Sequence, residues 1–377
     1  MLKMMAVGAK FDSGAVLPCI KSLHTMKFTG RGVGRNPANP YLKHAYVEAF
    51  PEGLDEPLLI DKRTEFLRET PKKIVNRVTS PDIPFPYSMN PYQGCEHGCV
   101  YCYARNTHQY WGMSAGLDFE RRIIIKENAA LLLRQTLDKP SWKPQTIMLS
   151  GNTDCYQPVE RKLGLTRNLI EVMVEYQHPV GIITKNSLVL RDLDLIQELA
   201  KKNLVRVAIS ITSMDEELRR HMEPRTSTTR QRLKAIEQLA KAGVPVTVMA
   251  APIAPGLNSH EIVPILRAAS EAGATGAGYT IMRLNGPVAT LFKDWIEDVY
   301  PDRAEKVLHQ IAEIHGGKLG DSRFGTRMRG QGEYALAIKE LFRIAKTRFF
   351  GRESKLKPLN LTAFQRPVRV GGQMSLF

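Results

Sequence analysis

No run of this 377-residue chain approaches the roughly eighteen consecutive apolar residues that a membrane-crossing helix needs. The start, MLKMMAVGAKFDSG, holds a lysine and a short apolar run but neither a convincing apolar core nor a cleavage site, so export is not expected. No P-loop and no dinucleotide fingerprint follows any β-rich run, which argues against a plain phosphate-binding α/β enzyme. Cysteine is scarce. There are five in all, and three of them, Cys95, Cys99 and Cys102, fall inside eight residues with no fourth beside them. A disulfide framework does not suit an odd, crowded set in a chain that fits a reducing cytoplasm. A structural zinc site normally takes four protein ligands. Three thiolates leave one metal position open, and an open position points to chemistry.

What is present reads as globular: 43% apolar and 24% charged residues, enough for a sizeable core in one large domain or two ordinary ones. The net charge of +15 is unevenly spread, with thirteen Lys/Arg against four Asp/Glu from Lys318 onward. That excess favours a polyanionic partner through long-range attraction and counterion release. It also fits a generically basic protein, and charge alone does not separate DNA, RNA and ribosome.

Residues 1–80, with GRGVGRNPANPY at Gly30–Tyr41, are too rich in Gly and Pro for regular structure and read as an irregular basic arm. From 81 to 300 the pattern changes. Five times an amphipathic helical stretch precedes a short β-rich run, as in NLIEVMVEY before VGIITKN and RLKAIEQLAKAG before VPVTVMAAPIAPG. A further strand near FPYSMNPY brings the count to six. The β runs are continuous in Ile, Val, Met and Ala, as expected when both sheet faces are covered. The expected fold class is α/β, a partial (β/α)6 TIM-like barrel, and polar residues cluster directly after each β run, where such folds carry their active sites. Residues 301–377 are expected to form a basic helical extension with a flexible tail. Its helix EYALAIKELFRIAKTRFF is expected to place Leu336, Leu341 and Ile344 on one side and Lys339, Arg343 and Lys346 on the other.

Three thiolates spaced C-x3-C-x2-C in a compact loop can each hold one iron of a cubane and leave the fourth iron open. The stretch NPYQGCEHGCVYCYAR resembles the signature of the radical S-adenosylmethionine superfamily, with Tyr101 as the aromatic before the last cysteine. With SGNTDCYQPVE, ITKNSLVLRDLDL, SITSMDEELRRHMEPR and APIAPGLN, it is similar to the branch that contains spore photoproduct lyase, often labelled DNA repair photolyase. The resemblance runs from about Asn90 to Asn285. It implies a [4Fe-4S] cluster on Cys95, Cys99 and Cys102, S-adenosyl-L-methionine on the open iron, and a 5′-deoxyadenosyl radical as the product of reductive cleavage. It further implies that Tyr101 lies by the adenine. Gly151, Asn152, Thr153 and Asp154 would stand where the family receives the methionine amino group, although the usual Gly-Gly-Glu form is absent. Thr184, Lys185 and Ser210 occupy positions that contact ribose and carboxylate in the family. Arg225 is a candidate partner for a carboxylate or a surface ion pair.

Cys155 follows Asp154 at a strand end. It is a candidate hydrogen-atom donor like the extra cysteine of spore photoproduct lyase, or a small buried hydrophobe. Tyr156 and Tyr103 are further relay candidates, and Cys19 has no visible partner. The final QMSLF (Gln373, Met374, Ser375, Leu376, Phe377) resembles the peptide with which bacterial repair proteins bind the β sliding clamp. Three readings stay open: a radical enzyme on DNA with lyase-type repair, fed by a reductase such as flavodoxin or ferredoxin; the same chemistry on RNA or protein; and a non-enzymatic iron–sulfur protein that binds nucleic acid.

Overall fold

The computed structural model describes residues 30–42, 63–352 and 356–367. Its strands are β1 (Glu65–Arg68), β2 (Val75–Arg77), β3 (Tyr87–Met89), β4 (Tyr92–Gln93), β5 (Arg122–Ile125), β6 (Ile147–Leu149), β7 (Val180–Thr184), β8 (Val205–Ser210), β9 (Val246–Ile253) and β10 (Gly276–Ile281). The main sheet has the order β10-β9-β8-β7-β6-β3-β2. Its six strands from β10 to β3 are parallel, and β2 joins the edge antiparallel to β3. A smaller sheet pairs β5 with β1 and β4. The architecture is mixed α/β, of the partial-barrel kind, with an open main sheet edged by β10 and β2.

Continuous apolar runs make these strands because helices cover one face and the domain interior the other. Ile147, Leu149, Val180, Ile182, Val205, Val207, Ile209, Val246 and Val248 are all essentially inaccessible. The covering helices are Leu165–Glu175, Leu193–Lys201, Thr229–Lys241 and Ile262–Glu271. Side-chain caps start several helical segments just past the strand ends. Asn186 accepts from Leu188 N, Asp215 from Glu217 N and Thr228 from Gln231 N, which fixes the loops as well as the helices. The register pairs Met89 with Leu149, Leu149 with Ile182, Thr184 with Ile209, and Ser210 with Met249. The carboxyl ends therefore line one rim, and the polar clusters of the sequence lie along it.

Two expectations change. Residues 65–68 and 75–77 fall in the stretch read as irregular, yet they form β1 and β2. They are too short to display a period, and their partners are distant in sequence. In the C-terminal helix Gly332–Phe350 the buried residues are Ala335, Ile338, Phe342, Ala345 and Phe350, whereas Leu336 is 61% exposed and Leu341 and Ile344 are exposed too. The expected apolar side is thus the wrong one. Two alanines let the helix approach closely, and Phe342 packs 4.4 Å, centroid to centroid, from Tyr279 of β10. Residues 356–367 return beneath the sheet, away from the rim. Asn360 N donates to Asn203 O and Gln365 N to Tyr176 O. Cys19 and Gln373–Phe377 lie outside the described residues.

Candidate active site

The cysteine loop leaves the rim after β4 and is pinned from several sides. Cys95 N donates to Phe119 O at 2.8 Å, and Val100 N to Met222 O at 3.1 Å. Gly94 and Gly98 turn the chain with φ of 83° and 68°, a region that favours glycine. Arg105, fully buried, donates to Cys99 O (2.9 Å), Ala115 O (3.2 Å) and Gly116 O (3.0 Å), and pairs with the equally buried Glu120. Glu120 also accepts from Gly32 N (2.9 Å) and Val33 N (3.2 Å), so the glycine-rich strap 30–42 closes over the outside of the loop. A Cβ on Gly32 would lie 1.6 Å from Gly98 O; only glycine seats there.

Cys95 and Cys99 are buried and Cys102 half-buried, none of them in a disulfide. Burial raises all three thiol pKa values, and Asp154 and the other two thiols raise Cys95 further. Metal coordination removes such protons outright. Among the described residues no three His, Cys, Asp or Glu side chains stand close enough together to hold one metal ion. Thiolates that each hold a different iron of a cubane stand farther apart than ligands of one ion do. Three sulfurs from one pinned loop, facing a polar rim, therefore fit a three-thiolate cluster site.

Along the rim, Glu223 gathers the polar side chains. Burial alone would raise its pKa, but Arg232 at 2.6 Å and Lys185 at 3.5 Å hold the carboxyl well below the usual carboxylate range. Thr212 and Tyr101 donate their hydroxyls to it, and burial beside that carboxylate keeps the Tyr101 phenol protonated. Lys185 Nζ also donates to Ala251 O (3.3 Å) and lies 6.0 Å from the Tyr101 ring centre. Arg232, also buried, donates to Ser210 O at 2.9 Å. Tyr101, Lys185 and Ser210 thus meet around one buried anion that sequence reasoning noticed only as the charged elbow Glu223-Pro-Arg225. Arg232 was missed.

A second group forms around Asp154. Burial opposes its ionisation, yet His97 at 3.4 Å, Lys185 N (2.7 Å) and Thr184 Oγ1 (2.7 Å) hold its pKa below the usual value. Asn152 donates to Gln93 and Thr107, Thr153 to Tyr92 O, and Gly151 O accepts from the Tyr103 hydroxyl. Arg225 pairs with Glu96 at 3.3 Å, one residue from Cys95. Tyr103 is 51% exposed at the rim. Cys155 and Tyr156 are fully buried instead: Cys155 packs in the main core, and the Tyr156 hydroxyl donates to Asp192 at 3.1 Å.

Comparisons with known proteins bear on this arrangement. An uncharacterized protein of Mycobacterium tuberculosis (strain H37Rv) is 37% identical over 234 residues, 61% of this chain and 69% of the relative. An uncharacterized protein of Methanocaldococcus jannaschii is 26% identical, covering 67% of this chain and 90% of the relative. Among solved structures, spore photoproduct lyase complexed with dinucleoside spore photoproduct matches with a TM-score of 0.55 and 19% identity over 76% of this chain and 80% of that one, a likeness of fold. No described helix is long and apolar enough to cross a membrane. Residues 89–269, which hold the cysteine loop and strands β6 to β9, match the Radical SAM superfamily, and the chain belongs to that superfamily of radical enzymes.

Proposed function

We propose that this enzyme acts on nucleic acid, DNA first, in a lyase-type repair of a damaged base. A [4Fe-4S] cluster with bound S-adenosyl-L-methionine supplies a 5′-deoxyadenosyl radical, and Cys95, Cys99 and Cys102 are the residues to hold that cluster. The observation that carries the reading is the pinned three-cysteine loop beside a polar rim, in a fold shared with spore photoproduct lyase, whose solved complex holds a dinucleoside lesion. The basic balance of the chain supports an anionic substrate. A damaged base costs less to extrude to such a rim than a sound one.

Each side chain has work in this scheme. Tyr101, held by Glu223 and Thr212, presents a fixed aromatic face and shields the cluster. Lys185 and Ser210 receive polar groups of the cofactor, while Asp154 positions Thr184 and the Lys185 backbone. Gly151, Asn152 and Thr153 belong to the loop that receives the methionine amino group in this reading, and Arg225 steadies the loop of cysteines through Glu96. Of the hydrogen-relay candidates, Tyr103 alone is exposed at the rim, so we assign the relay to it and a packing role to Cys155 and Tyr156. A reductase such as flavodoxin or ferredoxin is the electron source in this reading. Gln373–Phe377 would tether the enzyme to a sliding clamp, testable by pulldown with and without Phe377→Ala. The three stretches 1–80, 81–300 and 301–377 serve as arm, catalytic unit and basic extension.

The test is anaerobic. The reconstituted, reduced protein is given S-adenosylmethionine, and 5′-deoxyadenosine is quantified with and without UV-irradiated DNA, beside Cys95→Ala. Formation that needs Cys95 and rises with damaged DNA is expected. Formation that ignores DNA but rises with RNA or a protein substrate would move the substrate to that class, and none from a loaded cluster would overturn the mechanism.

A further inference from the structure

Past the end of β10, Arg283 is a half-buried cation at the rim with no hydrogen bond or ion pair to any other side chain among the described residues. Its surroundings explain why. The glycine-rich turn that follows the helix Pro301–Ile314 folds back onto this strand end. Ile281 N donates to Met328 O (3.0 Å), Leu284 N to Leu319 O (2.8 Å), and the Asn285 amide to Asp321 O (3.3 Å). The turn brings three more arginines, Arg323, Arg327 and Arg329, and the carboxylate Asp321, while Asp82 arrives from the segment before β3. Both carboxylates are taken. Asp82 accepts from Arg327 at 2.7 Å and Asp321 from Arg323 at 2.8 and 3.0 Å. Four arginines thus face two carboxylates: Arg329 lies exposed over the Tyr279 ring, 4.0 Å from its centre, and Arg283 is the half-buried one left without a partner among the described residues.

Burial lowers the Arg283 pKa, and the neighbouring Arg327 lowers it further, while Tyr103, Asp82 and Asp321 oppose both. A guanidinium so placed is short of negative charge, and an oxyanion at this point would relieve it. Near it stands Tyr103, whose hydroxyl reaches Gly151 O. Next to Arg283 is Arg327, whose guanidinium lies 4.7 Å from the ring centre of Phe324, itself 59% exposed. An anion receptor with two exposed aromatic rings in its neighbourhood suits a nucleotide strand, because phosphates and base faces alternate along it.

We propose that Arg283 binds a backbone phosphodiester of the substrate strand at the rim, with Phe324 stacking on a base next to it. This rests on the nucleic-acid reading above. The subsite fixes where a target nucleotide stands relative to Tyr103 and the cysteine loop, and it reads no sequence, since a phosphate carries none.

The test is equilibrium binding of the full-length reconstituted protein to a fluorescein-labelled single-stranded oligodeoxynucleotide across a salt series. Arg283→Gln is expected to weaken binding about tenfold and to make the log–log salt slope shallower by about 0.7, one single-strand phosphate contact. Phe324→Ala is expected to weaken binding with the slope unchanged, since stacking releases no counterion. Arg267→Gln, on the far helix Ile262–Glu271, removes the same charge and serves as control. Thermal unfolding of each variant separates misfolding from lost contact, and Arg283→Lys should restore the slope if the fold is intact. If Arg283→Gln matches Arg267→Gln in affinity and slope while the wild type binds, the subsite is wrong and the nucleic-acid reading stands. If the wild type binds no oligonucleotide, DNA or RNA, both fall.

Discussion

Removing the Glu120 carboxylate should free the Gly32–Val33 end of the strap and loosen the cysteine loop together. Glu120 and Arg105 are both fully buried, so Glu120→Ala leaves a guanidinium without its counter-charge in a place water does not reach. Breaking a buried pair from one side typically costs about 3–5 kcal/mol. The N–H groups of Gly32 and Val33 also lose their acceptor, at about 1–3 kcal/mol each if they stayed buried. The strap can avoid that second cost by leaving the surface and hydrogen-bonding to water, so we expect a stability loss near the first figure and a newly exposed strap. Arg105 is what holds Cys99 O, so the loop should lose definition as well. Three measurements on one sample check this: denaturant unfolding of the metal-free protein, limited proteolysis between residues 30 and 42, and iron bound after anaerobic reconstitution. Glu120→Gln should fall between wild type and alanine, because its amide can accept one bond but not balance Arg105. The double variant Arg105→Met/Glu120→Leu should regain much of the stability, as apolar replacements of buried pairs often do, without regaining the strap. A Glu120→Ala protein within about 1 kcal/mol of wild type, with the strap still protected and iron unchanged, would refute this account.

The other predictions probe different links. Gly32→Ala cannot seat its Cβ against the Gly98 carbonyl, so proteolytic protection of the strap should be lost while overall unfolding shifts less than for Glu120→Ala; an intact, protected strap would contradict it. Tyr103→Phe should lower substrate-dependent turnover about tenfold with iron content unchanged. Cys155→Ala should cost about 1 kcal/mol of stability and keep product formation, and the reverse pattern would return the relay to Cys155. His178 is fully buried, with Trp142 Nε1 donating to its Nε2, and burial holds its pKa down to about 4. A base whose folded pKa is depressed contributes stability above its unfolded pKa, and that contribution is lost as pH falls from about 6.5 through about 4. The loss amounts to about 3 kcal/mol. Urea titrations at stepped pH should show that fall in the wild type and a flatter profile in His178→Gln.

The sequence carried the repeating part of the fold because repetition is local: each strand is an unbroken apolar run, and each helix shows its own period. It carried the cysteine loop because three ligands in eight residues need no tertiary knowledge. What it could not carry were the pairings that depend on distant segments. Glu120 meets Gly32 across 88 positions, and Tyr101 meets Glu223 across 122, and nothing in either neighbourhood names the other. The glutamate of the Glu223-Pro-Arg225 elbow is visible in the sequence, but there the arginine is the residue whose charge suggests a ligand. Folding reversed the emphasis by burying Glu223 and leaving Arg225 in an ion pair at the loop's edge.

The C-terminal helix failed for a related reason. In sequence its leucines mark an inner face more strongly than its alanines do, whereas a helix lying close against another helix and the edge strand needs small residues at the contact. Cys155 shows the same limit at the scale of one residue. One residue after Asp154 the chain turns inward, and a thiol that reads as rim chemistry in sequence becomes part of the core. Arg283 runs the other way. It reads as one cation among many in a basic chain, and the prior commitment of Asp82 and Asp321 to other arginines leaves it half-buried and still in want of an anion.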